Sequence, residues 1–198
     1  MKTPILIGNP NRNRPLRALF AAAGILASLN SAMAQSAFTW DGGATPNGNW
    51  NAAANWNPDG APANNFNTNF TFAGAVNLLA TNNLTTGTIS NWTFAAGAGS
   101  FVLTGNAVTN KGSITNSSGV PQTMNLPMIM AVNNANPHYI NVGTSVITNG
   151  GQITAPTANA SLVKVGAGTL VFNSPLTNIL GNGTPGNAAP GSATIGFL

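Results

Sequence analysis

Residues 141–154 read NVGTSVITNGGQIT, and residues 112–119 read GSITNSSG. Each run sets small β-branched residues beside Thr, Ser and Asn, and each could form one face of a coil before a Gly or Asn turn intervenes. Amides and hydroxyls at such positions can stack on like neighbours in successive coils, so that polar side chains are satisfied by ladders instead of by charge. The pattern predicts an all-β chain wound as a parallel β-helix, a β-solenoid. A β-sandwich, which also needs short strands and frequent turns, is the alternative.

Working outward from these runs, segments rich in Val, Ile, Leu, Thr and Phe predict strands at 69–72, 86–94, 100–104, 113–116, 122–130, 139–148, 152–154 and 162–172. Gly-Asn, Asn-Gly and Gly-Gly pairs punctuate them. Glu is absent and Lys scarce, so helix signals are nearly missing, and NAAAN at 51–55 supports one turn at most. TGTISN, TGNAVTN, KGSITN and TSVITNG share a Gly/Thr–apolar–Thr–Asn character, but no fixed period links them.

The chain has 198 residues and a formal charge of +4. Four of its six basic residues (Lys2, Arg12, Arg14 and Arg17) precede or open the apolar run 16–29, which is followed by Ala32-Met33-Ala34. A basic start, a short apolar stretch and a small-x-small site predict a signal peptide over 1–34, cleaved after Ala34. The apolar run is short for a membrane span, which takes about 20 residues. Residues 35–198 then carry only Lys111, Lys164, Asp41 and Asp59, for a net charge of zero. Nucleic acid is excluded as a partner, because phosphate binding rests on clustered cations. No transmembrane segment is expected in this mature part. Without cysteine, an exported chain of this kind must rely on burial and backbone hydrogen bonds.

Three of the four tryptophans, Trp40, Trp50 and Trp56, crowd into TWDGGATPNGNWNAAANW at 39–56. Two readings compete. With Asn47, Asn49, Asn51, Asn55 and Asn57 the rings would suit a glycan, stacking on sugar faces while amides meet hydroxyls. Alternatively they plug the exposed first coil of a solenoid, whose terminal repeats must be capped. The plug is the preferred reading. Residues 35–65 are accordingly assigned as an N-terminal cap segment and 66–198 as coils, continuing beyond the C-terminus. Trp92, in ISNWTF, alternates with apolar neighbours and is expected in the core.

At 161–173 the chain reads SLVKVGAGTLVFN. Two β-prone tetrapeptides flank Gly166-Ala167-Gly168, and apolar residues fall on both parities, so the segment predicts a tight corner and not one flat strand. Lys164 is expected to reach solvent past an apolar stem. The segment resembles the autotransporter-associated β-strand repeat at Leu162, Lys164, Gly166, Gly168, Thr169, Leu170 and Phe172. The resemblance implies a β-helical passenger on a bacterial surface, exported to the cell exterior or outer-membrane surface, and serving as a spacer or adhesin. Surface glycans or neighbouring cells would be its partners, and the open C-terminal coil could support self-association.

Catalytic inventory is thin. Asp41 and Asp59 each precede Gly, as turn residues do, and do not form the facing pair that glycoside hydrolysis uses. His138 and Tyr139 follow Pro137 at a turn entering a strand, with no Cys or acid nearby to complete a metal site. No catalytic residue, metal ligand or cofactor is therefore assigned. A degraded polysaccharide-active enzyme is the weakest of three hypotheses, behind the structural solenoid and the carbohydrate-binding module.

Overall fold

The computed structural model describes residues 37–131, 137–156, 160–177, 179–181 and 196–197. The expected signal peptide at 1–34 lies outside them. Within them the chain is an all-β solenoid of about five turns, its strands stacked in parallel. The solenoid expectation holds, and the sandwich is not what forms.

The cap comes first. β1 (Ala37–Trp40) pairs in parallel with the strand above it, while the two-residue β2 (Trp56–Asn57) runs antiparallel along β1's other side, Trp40 opposite Trp56. Between them lies one 3-10 turn at Ala53–Asn55, the single turn expected of NAAAN. The first coil then has β3 (Asn65–Phe72) and β4 (Leu79–Asn82), and the second has β5 (Thr86–Phe94) and β6 (Val102–Gly105). β3 and β5 each cover two faces. Their register slips between Thr68 and Asn69, so that Thr68 faces Ile89 but Asn69 faces Asn91. Ser90 is thus an extra residue, a bulge that bends the strand around the corner.

In later coils that corner opens and one long strand becomes two. The third coil holds β7 (Val108–Asn110), β8 (Ile114–Asn116) and β9 (Gln122–Met124). The fourth holds β10 (Met128–Met130), β11 (His138–Asn141) and β12 (Val146–Asn149), and the fifth β13 (Ile153–Thr154), β14 (Ala160–Val165) and β15 (Thr169–Phe172). β16 (Leu176–Thr177) continues the stack on β13, and the backbone of β17 (Ile179–Gly181) and β18 (Gly196–Phe197) lies along β14. Three faces result. Face I is the start of β3 and β5, then β7, β10, β13 and β16; face II is β1, the ends of β3 and β5, then β8, β11 and β14; face III is β4-β6-β9-β12-β15.

The missing sequence period now has a cause. Phe70, Trp92, Ile114, Ile140 and Lys164 are in register on face II, yet the steps between them are 22, 22, 26 and 24 residues. The difference is absorbed at the corner between faces I and II, so the coils repeat in space without repeating in number. Three expected strands divide at the other two corners. Residues 122–130 split at Asn125–Pro127, 139–148 at the left-handed Gly143 (φ 59°), and 162–172 at Gly166 (φ 86°). The last of these is the corner that its glycines predict. β1, β2, β4, β7, β16, β17 and β18 lie outside the expected strands.

The core fills the shaft between the faces. Its N-terminal part is aromatic: Trp40, Trp50, Trp56, Phe70, Phe72 and Trp92 are fully buried. Past Phe101 it turns aliphatic, with Leu103, Ile114, Met124, Ile140, Ile147 and Leu162.

Candidate functional site

The tryptophan cluster was the first candidate, and its geometry is that of a plug. Trp56 meets Trp40 edge-on with ring centroids 5.1 Å apart, and Trp50 meets Phe70 edge-on at 5.1 Å. Trp50 also reaches Trp92 in the second coil, with ring centroids 6.3 Å apart. Such edge-to-face packing adds to the ~150–250 Å² of surface that each large ring buries. All three side chains are 0% exposed. With no ring face open to solvent they offer nothing for a sugar to stack on, which leaves the glycan reading of Trp40, Trp50 and Trp56 without its platform.

The surrounding amides are used within the cap as well. Buried Asn55 donates from Nδ2 to the carbonyls of Asn47 (2.7 Å) and Asn49 (3.1 Å), and its Oδ1 accepts from the Ala44 N–H and Asn77 Nδ2. One side chain therefore ties four points of an otherwise irregular loop, where an unmade bond would cost about 1–3 kcal/mol. Asp41 Oδ1 accepts the Gly43 N–H at 3.1 Å, the turn role that Asp-Gly suggests.

The repeat-like segment forms a corner between faces II and III. Leu162 is fully buried on β14, Leu170 and Phe172 on β15 pack against the core, and Thr169 is exposed. Gly166 is left-handed, and a Cβ on Gly168 would lie 1.9 Å from the Ser145 carbonyl oxygen of the coil below. The glycines are required by close stacking as much as by the turn. Lys164 keeps its ammonium at an exposed position. It shares its parity with Leu162, is half-buried, and its Nζ donates to the Gly166 carbonyl at 2.7 Å, bracing the corner.

A second set of polar groups lies inside the shaft, where Asn110 and Gln122, unremarked in the sequence, join Trp92 and His138. Trp92 Nε1–H donates to Asn110 Oδ1 at 2.9 Å, and Asn110 Nδ2 donates to the Gly112 carbonyl at 2.9 Å. His138, 2% exposed, sits above them with Nε2 2.7 Å from the Ala131 carbonyl and Nδ1 3.2 Å from that of Gly112. The shorter contact marks Nε2–H as the donor. Gln122 bridges two coils, accepting the Phe101 N–H and donating to the Gly99 carbonyl. These groups hold corner backbone, and among the described residues no three His, Cys, Asp or Glu side chains gather as metal ligands would.

Outside, the three faces present neutral ranks. On face II, Thr39, Thr71, Thr93, Thr115 and Asn141 stand in register on five successive strands. Two residues earlier along the same strands come Asn69, Asn91, Ser113 and Tyr139. Neighbouring strands are about 4.8 Å apart, so the threonine rank is a regular array. On face III, Thr81 and Thr104 are 3.1 Å apart and hydrogen-bond to each other. No protein-family model matches the chain, and no characterised protein or solved structure matches it either. None of these comparisons bears on the likeness to the autotransporter-associated repeat.

Proposed function

We propose that this chain is a non-catalytic structural or adhesive β-solenoid, exported to a bacterial surface as the N-terminal part of an autotransporter-like passenger. The observation that carries the reading is the stack itself: a solenoid sealed at its N-terminal end, whose outward ranks are Thr and Asn in place of charges. Such a body is a stiff spacer with a repeating lateral surface, which suits display better than chemistry. The leader-like residues 1–34 and the repeat-like corner at 162–172 support export and the passenger comparison. The buried tryptophans remove the support for a carbohydrate-binding module centred on them.

Expression of the full chain in a Gram-negative host tests this directly. The expected product is cleaved after Ala34, exported, and able to attach coated beads or cells to a surface. A cytoplasmic, uncleaved product that confers no attachment overturns the proposal.

A further inference from the structure

We infer that face II, not the tryptophan cluster, is a binding surface for a neutral linear polysaccharide lying across the strands. The inference rests on the adhesive reading for its setting, and on face II for its chemistry. The hydroxyls of Thr39, Thr71, Thr93 and Thr115 make no hydrogen bond to protein among the described residues, whereas Thr81 and Thr104 on face III satisfy one another. Asn141 uses Oδ1 to accept the Gly143 N–H and leaves Nδ2 without a protein partner, and Asn91 donates one of its two Nδ2 hydrogens to Asn69 Oδ1. Face II therefore displays unused donors and acceptors at a fixed repeat of about 4.8 Å, over four gaps or roughly 19 Å.

Tyr139 adds the apolar element. It lies in the neighbouring rank, two residues before Asn141 on β11, and at 39% exposure it is among the few large hydrophobic side chains left open. An open phenol ring beside unsatisfied hydroxyls and amides is the combination that holds a sugar, ring on ring and hydroxyl on amide. Neither rank contains a charged residue from Thr39 to Asn141, so a polyanion finds no counter-charge there. A folded protein partner would want an apolar centre, and Tyr139 is the sole large apolar group in these ranks. A polymer that repeats neutral hydroxyls is the occupant that uses all of these features.

The test measures binding of the full chain to cellohexaose, xylohexaose and mannohexaose, with polygalacturonate as the polyanion. Binding to at least one neutral hexaose is expected, with none to polygalacturonate. Tyr139→Ala and Thr93→Lys should each weaken it by about tenfold or more, while Tyr139→Phe and the face I variant Thr109→Lys leave it nearly unchanged. Circular dichroism melts confirm that each variant is folded. Absence of neutral-glycan binding, or equal binding by Tyr139→Ala and Thr93→Lys, overturns the inference. So does an equal loss in Thr109→Lys. Surface attachment is scored on the same proteins: attachment that survives without glycan binding sinks the face II inference alone, and no attachment by the unaltered chain sinks the adhesive reading.

Discussion

The two halves of the shaft solve the same packing problem with different side chains. Near the N-terminus, at the cap and the first coil, Trp40, Trp50, Trp56, Phe70 and Phe72 fill the shaft with rings. Every ring contact within the described core lies between Phe38 and Phe101. Beyond that point the interior holds aliphatic residues interspersed with Asn110, Asn116, Gln122, His138 and Asn149, all buried. An end must cover area, so large rings are favoured there; a middle coil is already covered and must satisfy its bent backbone, so amides are tolerated where they meet corner carbonyls.

Removing a ring from the plug should break this comparison most severely. Trp50→Ala is expected to cost about 3–5 kcal/mol in a urea titration, since Trp50 touches both the cap and Trp92. An effect under about 1 kcal/mol would mean that the rings are ornamental to the end. The stacking corner comes next. Gly168→Ala drives a methyl toward the Ser145 carbonyl and should lower stability by about 1–3 kcal/mol, visible as a drop in Tm.

For the middle coils, Asn110→Ala leaves the Trp92 indole N–H without its acceptor. A loss of about 1–3 kcal/mol is expected, accompanied by a change in Trp92 fluorescence. If Asn110→Leu proved as stable as the unaltered protein, the internal amides would be serving specificity and not stability. Smallest of all should be Thr104→Val on face III, which removes a single partly exposed hydroxyl pair at a cost of about 0.2–1 kcal/mol by the same titration.

The same contrast explains how far the sequence could be read. The rings announced the plug, and GAG between two β-prone tetrapeptides announced the corner at 166–168. β4 and β7 were hidden because Asn82 and Asn110 point inward, so a polar residue occupies the place where alternation demands an apolar one. Corners disguised strand ends in the opposite way. Leu126 and Val142 are fully buried corner residues, and their apolar character made 122–130 and 139–148 look continuous. The candidate site was less legible still. Which threonines face outward on one face depends on register across coils, and the steps of 22, 22, 26 and 24 residues conceal that register. Tyr139 was noticed only beside His138, although the two side chains lie on opposite sides of β11, one open and one buried.

β2 gives the molecule a direction. A parallel stack exposes at each end a strand edge that would accept another copy, as a fibril tip does. Here Trp56–Asn57 runs backwards along β1 and takes up its pairing at Thr39 and Trp40, so the end that a second molecule would template upon presents the wrong polarity. Ala37 and Phe38, the first half of β1, are outside this antiparallel pairing. Lengthening, whether by evolution duplicating coils or by an engineer inserting them, is simplest on the side of β3, where each coil already pairs in parallel with the next.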